Sequence, residues 1–240
     1  YGTRVTIQHA DPSARSYPTH VANLVLSSCD ILGIRDETRT SQQTSESDRR
    51  RLARPYGGVV CSGSVDEIIF IRIGDLEGAG QWTHQNADAA NTLCSDDELL
   101  QGPLEAAWYR DGVFEIPDRH AQGPTPLFHN GYLVVEGVNG ICALDAYNGQ
   151  TLWTYTIEGL LADWDGVHHD VGISEVGGVF CLGDGAVFAR VGERCLQIDL
   201  ATGDLLAEFH TPVEAFATDR NWGCVVYVDG ILYGSVLNDE

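Results

Sequence analysis

Two stretches of this chain repeat one another, and that repeat limits the fold more than any other feature. GICALDAYNGQTLWTY occupies residues 140–155 and ERCLQIDLATGDLLAEF residues 193–209. With Asp145 laid on Asp199, Leu144 meets Ile198, Asn148 meets Thr202, Gly149 meets Gly203 and Leu152 meets Leu206. The offset, 199 − 145, is 54 residues. That is long for one four-stranded unit, and an insertion near 159–178 accounts for the excess. A third, partial copy, VVYVDGILYGSVLNDE (225–240), matches LFHNGYLVVEGVNG, the hairpin that precedes the first copy.

The physics of the repeat is consistent. Alternating apolar residues up to Asp145 form one strand. The Asp side chain can accept backbone N–H groups across the turn, and Gly149 and Gly203 permit a positive φ there. The following strand carries Trp153 outward, where a broad aromatic can pack on a neighbouring unit. From Gly78 onward, short strand-like runs recur between Asn-Gly, Asp-Gly, Gly-Gly and Thr-Gly turns. They include Tyr132–Glu136, Ile141–Leu144, Thr151–Thr156, Val179–Leu182, Ala186–Val191, Cys195–Asp199, Leu205–His210, Cys224–Val228 and Ile231–Val236. This texture predicts a mainly β sandwich, barrel or propeller.

The segment Ala143-Leu-Asp145-Ala-Tyr-Asn148-Gly149-Gln-Thr-Leu-Trp153 resembles the tryptophan-docking motif of PQQ-like (pyrroloquinoline-quinone-type) propeller repeats, with Asn148 in place of the usual Thr. The second copy keeps Asp199, Thr202 and Gly203, but has Gln197 and Ala207 where Ala and Trp are usual. Upstream, Gln81-Trp82-Thr83-His84, Asp88, Asn91-Thr92 and Trp108 resemble the opening segment of such propellers. The resemblance implies that 78–240 form the first two to three blades. It does not by itself imply the quinone. No adjacent cysteine pair and no calcium constellation stands in the sequence, so PQQ binding is not expected.

Residues 1–77 read differently. RVTIQHAD and VANLVLS are strand-like, a polar stretch leads to a short helix near Asp48–Ala53, and LARPYGGVVC is a turn feeding a further strand. Strand, polar connection, strand, helix, strand is an α/β pattern. VTIQHADP, SYPTHVANLVLSS and RRLARPYGGVVC are similar to the third, fourth and fifth strands of a class I S-adenosylmethionine (SAM)-dependent methyltransferase. The resemblance implies that Asp11 would contact the cofactor's adenine. The Gly-rich loop of that family is absent and Asn23 replaces an Asp, so a complete SAM site would need further upstream residues. The combination resembles large multidomain proteins of planctomycete-type bacteria, which implies an extracytoplasmic, periplasmic-type location.

The chain carries a net charge of −21, with 35 acidic against 14 basic residues. That excludes a phosphate-backbone binder, which needs a basic face, and fits a self-repelling surface suited to a saline habitat. No apolar run is long enough to span a membrane as a helix. Without methionine anywhere, the chain is expected to be a fragment. Cysteines 29, 61, 94, 142, 181, 195 and 224 show no CxxC spacing, and Cys142, Cys181 and Cys195 read as small buried hydrophobes. His168-His169-Asp170, near Asp163 and Asp165, is the densest set of metal-ligand types; adjacent histidines could share one ion only in a loop. His84 and His120, beside Asp88 and Asp118, could border a propeller's channel, or simply make turn hydrogen bonds. The sequence thus predicts a binding or scaffold propeller with a protein or carbohydrate partner. The alternatives are a SAM-dependent methyltransferase with an accessory propeller, or a quinoprotein oxidoreductase.

Overall fold

The computed structural model describes residues 17–26, 45–63, 66–116, 123–161, 179–212 and 220–236. The chain divides into two compact units, one of residues 1–77 with 105–108, the other of 78–104 with 109–240.

The first unit holds a three-stranded sheet, β1 (Leu24–Leu26), β2 (Val59–Gly63) and β3 (Ile68–Arg72), with helix α1 (Glu46–Leu52) between β1 and β2. β1 pairs parallel with β2, which requires the intervening crossover that α1 helps supply. The helix begins two residues earlier than the sequence suggests. Ser45 caps it, its hydroxyl accepting the Asp48 N–H at 3.1 Å, while Glu46 and Asp48 sit in the first turn and Arg49, Arg50 and Arg51 in the last. Both placements suit the helix dipole. β3, antiparallel to β2, is a strand the sequence reading did not anticipate. This is an α/β arrangement. Asp11 and the Arg4–Asp11 strand expectation lie outside the described residues.

The second unit is all antiparallel. β4 (Leu127–His129), β5 (Tyr132–Gly137), β6 (Gly140–Asp145) and β7 (Thr151–Thr156) form one sheet in sequence order. β8 (Phe180–Gly183), β9 (Ala186–Val191), β10 (Arg194–Asp199) and β11 (Leu205–His210) form a second, in the same up-and-down order. β12 (Trp222–Val228) and β13 (Ile231–Val236) begin a third. Two four-stranded meanders followed by the opening hairpin of another are successive blades of a partial propeller.

The two complete blades repeat in backbone detail. Asn130 and Gly131 both have positive φ, as do Asp184 and Gly185, and Asp229 and Gly230 do so in the third hairpin. Paired positive φ values are what a two-residue hairpin turn needs. The register of β6 and β7 shifts between Ala143 and Leu144; that of β10 and β11 shifts between Gln197 and Ile198, the same 54-residue step. The core lies between blades. Val134, Ile141, Ala143 and Trp153 of blade 1 pack on Phe180, Leu182, Val187, Ala189 and Ile198 of blade 2. A smaller cluster, Cys181, Phe188, Cys195 and Val225, joins blade 2 to the third hairpin. The thiols of Cys142, Cys181 and Cys195 are buried and unbridged.

Candidate functional site

The turn after β6 is organised by Asp145. Its Oδ1 accepts the Tyr147 N–H at 3.0 Å and its Oδ2 the Asn148 Nδ2–H at 3.1 Å, and its carbonyl accepts the Gly149 N–H at 2.8 Å. Asp199 does the same work after β10, accepting the N–H groups of Ala201 at 2.9 Å and Thr202 at 2.8 Å on Oδ1, with Gly203 N–H on its carbonyl at 2.9 Å. These bonds to the charged form hold the Asp199 carboxyl below the usual carboxylate range, the Thr202 N–H contributing most. Asn148 fills the threonine position by function: its Oδ1 accepts the Gln150 N–H at 3.0 Å, as Thr202 Oγ1 accepts Asp204 N–H at 3.2 Å.

Trp153 leaves blade 1 and enters the corresponding turn of blade 2. Its indole N–H donates to the Leu200 carbonyl at 2.8 Å. The ring lies against Gly203, where a Cβ would come within 2.8 Å of it. So Gly203 serves twice, once for its φ of +79° and once for close approach. In blade 2 the bulk is redistributed. Ala143 stands opposite Trp153 across β6 and β7, whereas Gln197 stands opposite Ala207 across β10 and β11.

The opening segment has a role that sequence spacing did not disclose. Residues 81–85 run as a strap past the first strands of all three blades. Trp82 exchanges two backbone hydrogen bonds with Phe128 on β4, at 2.9 and 2.8 Å, and the Thr83 carbonyl accepts the Leu182 N–H of β8 at 2.9 Å. His84, 5% exposed, accepts the Tyr227 N–H of β12 on Nε2 at 3.2 Å. Behind the strap, Asp88 caps a loop through the N–H groups of Ala90 and Thr92, and Asp97 accepts the Gly80 N–H at 2.9 Å. His84 and Asp88 therefore make structural hydrogen bonds. Asp163, Asp165, His168, His169 and Asp170 lie outside the described residues, as do Asp118 and His120. Among the described residues, no group of three or more His, Cys, Asp or Glu side chains converges as a metal site.

One ionisable group is out of place for an ordinary core. Glu136 on β5 is 1% exposed, and neither carboxyl oxygen has a hydrogen-bond partner among the described residues. Burial pushes its pKa up to about 8, against the pull of the Arg190 guanidinium. Arg190 occupies the equivalent place in blade 2, 54 residues on. Between blade 2 and the third hairpin lies an open groove of about 480 Å³, bounded by Gln197, Phe209, His210, Trp222, Tyr227 and Ile231 among others. Phe188 and Tyr227 stack on its floor, ring centroids 4.7 Å apart.

Several solved structures are similar in fold to this chain. A europium-containing methanol dehydrogenase has 21% identity and a TM-score of 0.45 over 66% of this chain and 27% of its own. A quinohemoprotein alcohol dehydrogenase, ADHIIG, from Pseudomonas putida HK5 has 17% identity and a TM-score of 0.41 over 64% of this chain and 22% of its own. BamB from Moraxella catarrhalis has 19% identity and a TM-score of 0.31 over 46% of this chain and 29% of its own. The chain thus spans under a third of each of these three proteins. No family model matches it, and no curated protein does. The assignment of blades rests on the strand order and the repeated turns described above.

Among the described residues that line the groove, the basic side chain is His210, whose Nε2 faces Glu208 Oε1 at 2.9 Å.

Proposed function

We propose that residues 78–240 are a non-catalytic binding or scaffold propeller fused to a methyltransferase-like module, engaging a protein or carbohydrate partner outside the cytoplasm. One observation carries this reading: the residues of the repeat motif are spent on architecture. Asp145 and Asp199 organise turns, Gly149 and Gly203 turn the chain with positive φ, and Trp153 docks blade on blade. None is left over for chemistry, so function falls to the loops and to the groove beside Trp222, as is usual for a rigid β scaffold. The aromatic walls of that groove suit a sugar face or an extended peptide.

The methyltransferase-like reading of residues 1–77 is favoured by the parallel β1–β2 pair with α1 between them. Such a module would hold SAM only together with further strands and a Gly-rich loop.

The test is a binding panel of immobilised oligosaccharides and extended peptides, read beside calorimetry with SAM and a dye-linked alcohol-oxidation assay with PQQ and Ca²⁺. Saturable binding to one class, weakened about tenfold (about 1.4 kcal/mol) by Phe209→Ala, with no SAM heat and no dye reduction, is the expected result. Alcohol-dependent dye reduction or methyl transfer would overturn it.

A further inference from the structure

We infer that the strap at residues 81–85 is a proton-sensitive latch, which holds the third blade's first strand to blades 1 and 2 through the neutral imidazole of His84. Among the described residues, the strap bonds to β4 and β8 through backbone groups, at Trp82 with Phe128 and at Thr83 with Leu182, and beside β4 the side-chain oxygens of Gln81 and Gln85 accept the Asn130 and Thr125 N–H groups. Those bonds do not titrate near neutral pH. The one to β12 is of a different kind. A backbone N–H, that of Tyr227, donates to His84 Nε2 at 3.2 Å, which demands a lone pair on that nitrogen. The ring proton must then sit on Nδ1, where Thr83 Oγ1 lies 2.9 Å away to accept it. An imidazolium has no lone pair. Adding a proton therefore sets Nε2–H against Tyr227 N–H and removes the joint.

The surroundings favour the neutral ring. Burial holds His84 below its ordinary pKa, opposed by the nearby Asp88 carboxylate. From the other elements, β12 brings Tyr227, whose hydroxyl donates to Asp184, and β8 brings Cys181, which has Cys195 and Cys224 for neighbours. The Tyr227 N–H also touches the electrostatics of the Cys181 thiol, which burial keeps protonated. Since the unfolded chain accepts its proton near 6.5 and the folded one resists it, the latch is complete above pH 6.5 and weakens as pH falls.

The experiment is amide hydrogen exchange at Tyr227 in the whole chain between pH 8 and 5, corrected for intrinsic rates. The protection factor is expected to fall below pH 6.5 by up to tenfold per pH unit, while Leu182 keeps its protection. In His84→Gln, whose amide oxygen accepts without titrating, Tyr227 protection should be flat with pH. Nitrogen-15 spectra of the unsubstituted protein should show the Nδ1–H tautomer of His84 at pH 7.5. A flat profile in the unsubstituted protein, an equal fall in His84→Gln, or an Nε2–H tautomer would each overturn the latch.

Discussion

Glu136 and Trp153 are residues of one interface with opposite consequences. Glu136 keeps its proton in the folded protein up to a pKa of about 8, whereas the unfolded chain releases it near 4.5. The folded state therefore binds more protons between those values, and its stability falls as pH rises through that window. Glu136→Gln removes the titration. It is expected to raise the urea midpoint at pH 8.5 by the equivalent of several kcal/mol while changing it little at pH 4.5, so that the variant's midpoint no longer declines between the two. Trp153 contributes by packing and by its bond to Leu200. Trp153→Phe should cost about 1–2 kcal/mol for the lost hydrogen bond and trimmed area. Gly203→Ala should cost about 2 kcal/mol or more, because it combines a strained φ with a clash against the indole; thermal melts of both variants check this.

At the scale of elements, the turns are self-contained and the strand edges are not. The β6–β7 and β10–β11 corners each satisfy their own backbone through an Asp, which explains why they could be read from a few residues. β13 is a different case. Among the described residues it pairs only with β12, and Ile231 and Tyr233 on it are each 51% exposed. In the chain as given, an exposed apolar strand of this kind can pair with a further strand of the same or another chain. Ile231→Lys should lower concentration-dependent association, measured by sedimentation at several loadings, without lowering the melting temperature. β3 was not foreseen because IIFIR lacks alternation and is defined only by its antiparallel partner β2.

For the molecule as a whole, the net charge of −21 acts on stability through self-repulsion. Salt screens it, with a Debye length that shrinks from about 30 Å at 0.01 M to about 10 Å at 0.1 M. The melting temperature is therefore expected to rise between 10 and 500 mM NaCl, most steeply at the low end; a melting temperature unmoved by salt would show that the acidic groups are already well dispersed. The mainly β character and the repeat were legible, because strand periodicity and turn chemistry are local properties of the chain.

What the sequence by itself determined is thus the set of corners. Asp145, Gly149, Asp199 and Gly203 dictate tight turns through bonds made within five residues, and the 54-residue step between them dictates successive equivalent units. What only the tertiary structure decided is where those units touch. Trp153 reaches Leu200, His84 reaches Tyr227 and Glu136 comes under the influence of Arg190 across 47, 143 and 54 residues. Such meetings depend on the angle between blades, and that angle is set by packing summed over whole faces rather than by any short run of residues.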